Sequence, residues 1–366
     1  MEEKMIVRYL FGFLGVCILI FLVLAFVLFA LSITVEQQQS EFNIYESAIK
    51  SGKFAIVRNT DTGSSIFFGN EDGNANLEIH SLNDLSSPFI VDQDRILFIE
   101  STKLPVPKFH IVEIQISKSE IKCNRLVTSN DYLDNPFVAT GEYSRGVLFF
   151  SGKYYPDASG NSVPRRQFSM YEDGQVTAFE GPTFSTIGKL AQIDEDQFLG
   201  VSFSIELPPQ EGETESSFVD LENNSELVEV HLSGGLIQAV PAKIGALNIN
   251  TVLTVASVQN LNTVVISSVD FPSGGSSQSK LTFIHNSKVK DARIVHLSSD
   301  WNYSEPFLND NYNGEVTASF FATEKVYSDA KDKFFLMDYV NNDFTNKRLL
   351  KVNEASLFNT QLCRNN

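Results

Sequence analysis

Hydrophobic and polar positions follow two different rules along this chain. From Tyr9 to Val35, 27 residues pass without a charge, rich in Leu, Phe, Ile and Val. As a helix this run is about 40 Å long, enough to cross a hydrocarbon core of about 30 Å with some tilt. From Phe42 onward no helical stripe is visible. Short apolar runs are separated there by Gly, Asn, Asp and Ser, a pattern that predicts strands. Val112, Ile114 and Ile116 alternate with Glu113, Gln115 and Ser117, the period of a strand with one buried face. Ile96 to Ile99, Val147 to Phe150, Val264 to Ile266 and Phe334 to Met337 are apolar on both faces, as strands covered from both sides must be.

The long apolar run predicts a transmembrane helix over residues 9–35, with residues 1–8 as a tail, 36–41 as a linker and 42–366 as an ectodomain. Two membrane readings stay open, an uncleaved signal anchor and a cleaved signal peptide, because Ala30 and Ser32 are the small residues a signal peptidase needs. The apolar region of a signal peptide spans about 7 to 15 residues, so the length favours the anchor. Lys4 and Arg8 precede the run and no base follows between Glu36 and Ile49, which keeps the tail cytoplasmic. The C-terminal domain is then periplasmic, lumenal or extracellular, and the lipid bilayer is a partner through residues 9–35. Cys17 follows Val16 instead of the small residue of a bacterial lipoprotein site, which argues against lipidation.

A longer period lies above the strands. Ser87-Pro88-Phe89-Ile90 leads into Ile96 to Ser101, Asn135-Pro136-Phe137-Val138 into Val147 to Ser151, and Glu305-Pro306-Phe307-Leu308 into Val316 to Ala322. Less faithful copies lie around Leu190 to Phe203 and Val252 to Ser267, and one precedes them all, from Phe42 through Phe54 to Ile79. A period of about 50 residues, each unit holding four short strands, is the signature of a β-propeller. The spacing predicts an all-β domain of six blades, with tandem β-sandwiches as the competing fold. Proline suits the first residue of a strand, where no ladder bond is lost, and the Phe after it is expected between blades.

Charge and cysteine content narrow the function. There are 45 acids against 28 bases, and the bases and acids before residue 36 cancel, so the whole net charge of -17 belongs to the outer domain. That excludes nucleic acid as a partner, since phosphate neutralisation needs excess Lys and Arg. Cys123 and Cys363 could form one bridge in an oxidising compartment or remain two thiols. His80, His110, His231, His285 and His296 stand singly, without metal-ligand spacing, and no cofactor-binding motif is present. Asn70-Glu71-Asp72-Gly73-Asn74 has carboxylates around a glycine, as in a calcium loop, but lacks the terminal Glu and reads as a hairpin turn.

The segment Asp134-Asn135-Pro136-Phe137-Val138 with Val147 to Ser151 resembles the blade openings of furanosidase-type glycoside hydrolases, and Glu180-Gly181-Pro182 is similar to the triplet that carries their acid. The resemblance implies two carboxylates facing across the axis, Glu180 with Asp134 or Glu305, one donating a proton and one acting as base or nucleophile. The residues before the blade prolines are Ser87, Asn135 and Glu305, where that family has Asp. The expectation from the residues themselves is therefore non-enzymatic: a membrane-anchored propeller serving as an interaction platform for a protein partner, or as a subunit of a membrane complex. The alternative is a membrane-tethered glycoside hydrolase or carbohydrate-binding propeller.

Overall fold

The computed structural model describes residues 42–366 apart from 61, 103–105, 119, 157–161, 185–187, 202–203, 208–216, 221–226, 243–250, 259–262, 271–277, 286–291, 299, 305, 311–315, 325–333, 341–342, 353 and 366. The transmembrane segment expected at residues 9–35 lies outside the described residues. Among those described, no helix is long and apolar enough to cross a membrane.

Six sheets follow one another along the chain, each built around a run of antiparallel strands, with exceptions in blades 3 and 4 and at the C-terminus. Blade 1 comprises β1 (Phe42–Lys50), β2 (Lys53–Thr60), β3 (Gly63–Asn70) and β4 (Ala75–Ser81). Blade 2 comprises β5 (Asp84–Asp92), β6 (Arg95–Thr102), β7 (Lys108–Ile116) and β8 (Ile121–Ser129). Blade 3 runs through β9 (Tyr132–Phe137), β10 (Val147–Pro156) and β11 (Ser162–Glu172), with β12 (Gln175–Ala178) and β13 (Thr183–Phe184) both pairing with β11. Blade 4 opens with β14 (Ala191–Asp194) and β15 (Gln197–Val201). The hairpin β16 (Ser204–Leu207) and β17 (Ser217–Asp220) then joins β13 of blade 3, and the chain returns to blade 4 as β18 (Leu227–Ser233) and β19 (Leu236–Pro241). Blade 5 is β20 (Thr251–Val258), β21 (Thr263–Asp270), β22 (Gln278–His285) and β23 (Arg293–His296). In blade 6 the first strand is split into β24 (Trp301–Tyr303) and β25 (Phe307–Asp310), both paired with β26 (Val316–Glu324), followed by β27 (Phe334–Val340) and β28 (Asp343–Leu349).

The apolar pattern explains why these sheets stack. A lone four-stranded sheet with two apolar faces would leave both in water, so each packs against its neighbours. Val57, Ile66 and Ile79 of blade 1 meet Ile90, Phe98 and Ile114 of blade 2. Leu97 and Ile111 of blade 2 meet Leu133 and Phe149 of blade 3. Phe150 and Phe168 pack on Phe198 and Val230 of blade 4, whose Leu199 and Leu227 pack on Ile266 and Ile284 of blade 5. Val265 and Phe283 meet Phe320 and Met337 of blade 6, and Phe321 and Leu336 return to Phe54 and Ile56 of blade 1. The ring is closed: the chain forms a six-bladed β-propeller. Its tight hairpins include Ser51-Gly52, Asp173-Gly174 and Gly234-Gly235, each with both central residues at positive φ, which matches the twist of the flanking strands.

The C-terminal segment straps the rim. β29 (Ser356–Asn359) pairs in parallel with β4, and β30 (Arg364–Asn365) pairs in parallel with β8, so one strand pair lies on blade 1 and the next on blade 2. Between them a disulfide joins Cys123 of β8 to Cys363, with Cα atoms 4.6 Å apart. Beneath the strap Glu100, only 1% exposed, accepts bonds from Ser81 Oγ (2.6 Å), Thr360 Oγ1 (2.7 Å) and Arg125 Nη2 (3.0 Å). Arg125 also donates to the carbonyls of Thr360 and Cys363. Burial alone would raise the Glu100 pKa, but the hydroxyl bonds of Ser81 and Thr360 and the charge of Arg125 outweigh it and hold the carboxyl below its ordinary value.

Candidate functional site

The innermost strands bend near their middles. Pairing slips between Asn43 and Ser47 in β1, Ser86 and Phe89 in β5, Asp134 and Phe137 in β9, Gln192 and Asp194 in β14, and Val252 and Thr254 in β20. Ser87 and Asn135 take left-handed backbone, with φ of 49° and 47°, each followed by its proline. Pro88 and Pro136 therefore sit at bulges inside their strands, and only Pro306 directly precedes one, β25. The reason for proline is the one anticipated, because a bulged residue also owes no ladder bond. The phenylalanines divide: Phe137 is buried between blades 3 and 4, whereas Phe89 and Phe307 are half-buried.

These bends turn polar groups from strand to strand around the axis. Glu46 of blade 1 accepts from the Ser87 amide of blade 2 at 2.6 Å, and Ser87 Oγ donates to Asp134 Oδ1 of blade 3 at 2.9 Å. Asp134 Oδ1 also accepts from the Asn135 amide, and Oδ2 pairs with Arg166 Nη1 at 3.2 Å. The Gln192 amide of blade 4 is paired both ways with the Thr140 backbone after β9, and the Gln192 carbonyl accepts from Ser257 Oγ of blade 5. Lys189, just before β14, donates from Nζ to the Ser47 carbonyl of blade 1 at 2.9 Å and lies 5.5 Å from the ring centroid of Phe307 in blade 6. In a six-membered ring, blades 1 and 4 are opposite, so this side chain spans the axis.

A cavity of about 330 Å³ lies among these strands, walled by residues from the innermost strand of every blade. Pro88, Phe89, Pro136, Phe137, Pro306 and Phe307 all contribute to its wall. The repeat legible in the sequence is thus a repeat of the axial wall. The charged lining residues are Lys50 and Lys189, and no described carboxylate lines the cavity. Lys50 is exposed at the end of β1, yet its ammonium lies 5.2 Å from the Phe89 centroid. Desolvation there lowers its pKa, against the opposing charge of Asp92 and together with that of Arg95.

Of the acid candidates from the sequence, Glu180 and Asp134 are described, and neither lines this cavity. Glu180 is exposed beside blade 4, where its amide donates to Gly235 and its carbonyl accepts from Ile237 of β19. Gly181 in the same triplet has a φ of 145°, and a Cβ there would stand 2.3 Å from the Ile237 carbonyl oxygen. The triplet therefore has a local packing reason, the close approach of blade 3 to blade 4. Asp134 is on an innermost strand, engaged by Ser87 and Arg166 as above, and Glu305 lies outside the described residues. Asp72 in the Asn70 to Asn74 turn accepts from both the backbone and the side-chain nitrogen of Asn74, an Asx turn. Among the described residues no group of three His, Cys, Asp or Glu is placed to hold a metal ion.

Comparisons with known proteins follow the fold alone. No protein-family model matches the chain, and no curated protein matches it. Among solved structures, the tricorn protease aligns at 10% identity and a TM-score of 0.40, covering 83% of this chain but 30% of that one. The chain thus spans under a third of that protein's length. A polysaccharide lyase, an ulvan lyase, aligns at 8% identity and a TM-score of 0.39, covering 86% of this chain and 94% of that one. The α-L-arabinanase of Cellvibrio cellulosa aligns at 8% and 0.32, covering 84% and 96%. Similarity at this level reaches no residue of a site.

Proposed function

We propose that the protein acts by binding rather than by bond cleavage, as a β-propeller platform held outside the cytoplasm by its N-terminal apolar segment and presenting its loops to a protein partner. The observation that supports this reading is the use made of the axial carboxylates. Where the glycosidase resemblance would set an acid and a base across the funnel, Glu46 and Asp134 join blades 1, 2 and 3, and Glu180 is exposed off the axis. A general acid needs an environment that holds its proton near neutral pH, and a partner at roughly 5 to 9.5 Å. Asp134 instead pairs with the Arg166 guanidinium at 3.2 Å. The anchoring part of the proposal rests on the 27 uncharged residues from Tyr9 to Val35.

The reading is tested by extracting the full chain from its membrane in mild detergent and assaying both association and sugar release. A stoichiometric protein partner without hydrolysis supports it. Release of reducing sugar that disappears in Glu180→Gln would overturn it in favour of the hydrolase.

A further inference from the structure

We propose that Trp301 and Phe335 of blade 6 form a binding site for a trimethylammonium group, as carried by choline and its compounds, and that Lys347 occupies this site as a displaceable stand-in from the chain itself. This goes beyond the platform reading, because it concerns a small ligand on one blade and would stand even without a protein partner.

Three observations carry it. The first is the shape of the corner. The rings of Trp301 in β24 and Phe335 in β27 are 5.8 Å apart between centroids, with their planes at 69°. The Lys347 ammonium lies over both, 4.1 Å from the Trp301 centroid and 4.2 Å from that of Phe335. Seen from the nitrogen, the two centroids are therefore about a right angle apart, and each is well inside the ~6 Å range of cation–π attraction. The second is how the lysine is held. Lys347 is exposed, while Trp301 and Phe335 are half-buried, and among the described residues its ammonium has no ion pair. Pairing slips between Leu336 and Asp338 of β27, so that Asn346 and Lys347 of β28 face the single residue Met337. Such a bulge interrupts the ladder and re-aims a side chain, which leaves the lysine free to swing aside without loss of regular strand bonds. The third is charge. The outer domain carries the whole net charge of -17, a field that draws cations toward it.

The ligand class follows from the two kinds of ammonium. A lysine ammonium is compact and strongly hydrated, so it gives up much water to sit on a ring. A trimethylammonium group spreads the same charge over an apolar surface and fits a corner of ring faces better, the use for which aromatic cages are known. An exposed cation–π contact amounts to a factor of about two to five in an equilibrium constant, so Lys347 is a weak competitor for its own site.

Trp301 is the sole tryptophan of the chain and serves as the reporter. The full chain in a non-ionic detergent is titrated with choline at constant ionic strength and followed by tryptophan emission. A saturable change with a Kd of about 10 mM or tighter is expected, about tenfold weaker for the neutral isostere 3,3-dimethylbutanol. Lys347→Ala, at an exposed position, tightens choline about two- to fivefold by removing the competitor. Lys122→Ala, which removes an exposed ammonium from blade 2, leaves binding unchanged. Phe335→Leu weakens choline about fivefold or more; because Phe335 also packs in the seam of blades 5 and 6, Lys347→Ala decides if that variant fails to fold. Glycerophosphocholine separates the sources of the group: binding as tight as that of choline assigns a lipid headgroup, and weaker binding a free quaternary amine. No saturable change in the wild type and in Lys347→Ala, equal binding of the neutral isostere, or a Lys347→Ala variant that binds choline no tighter would overturn the proposal.

Discussion

Asp134 shows how one side chain can be read two ways. Its carboxylate joins the Ser87 hydroxyl of blade 2 to Arg166 of its own blade, and in that ion pair the arginine and aspartate side chains are only 12% and 13% exposed. Removing one partner of a nearly buried pair is strongly destabilising, so Asp134→Ala is expected to cost about 3 to 5 kcal/mol in urea unfolding. Glu180→Ala, at an exposed turn, should stay within about 0.5 kcal/mol. The contrast separates a structural carboxylate from a solvated one. Legibility differed residue by residue. Pro88, Pro136 and Pro306 repeat with a phenylalanine, and that repetition marked the blades, while their place on the axial wall came from ring closure. Glu180-Gly181-Pro182 drew attention for its acid, while its conformational demand comes from the glycine. Lys189 carries no signal in one dimension, because a single lysine before an apolar strand looks like any surface lysine until ring closure sets it across the axis.

At the scale of elements, the C-terminal strap is the feature the pattern did not reveal. Ser356–Asn359 is a short run whose leucine is exposed, and it pairs in parallel with a strand some 280 residues earlier in sequence, beyond the reach of local periodicity. The cysteines were visible, but two thiols in a sequence do not state their separation in space. Closing a loop with a sequence separation of 240 removes much freedom from the unfolded chain, about 5 kcal/mol in the loop-entropy model, and engineered cases return less. Cys363→Ser should therefore lower the unfolding free energy by about 2 to 5 kcal/mol, checked by denaturation under non-reducing conditions. The Glu100 cluster under the strap makes stability depend on acid. Its folded pKa lies below the unfolded value of about 4.3, so its contribution is fully present above that pH and is lost as pH falls through the depressed folded value. Acid titration followed by circular dichroism should show this component in the wild type and lack it in Glu100→Gln.

For the whole molecule, six seams of aliphatic and aromatic side chains turn a string of sheets into a ring. Strand class, approximate period and blade number were legible because every blade repeats the same apolar economy. The split first strand of blade 6 and the hairpin that leaves blade 4 for blade 3 were not, since both depend on which edges lie open in three dimensions. The seam between blades 6 and 1 joins chain ends. Phe321 there is fully buried and 5.9 Å from Phe54 between centroids, so Phe321→Ala should cost about 3 to 5 kcal/mol, as much as a core substitution within any earlier seam. A much smaller loss on thermal unfolding would mean that the ring opens there in solution. The central claim is that this ring serves association and not catalysis. Native mass spectrometry of the full chain in mild detergent tests it most directly. The account predicts a mass above that of the 40.8 kDa chain by a stoichiometric protein partner; the mass of the lone chain, free of any partner, would contradict it.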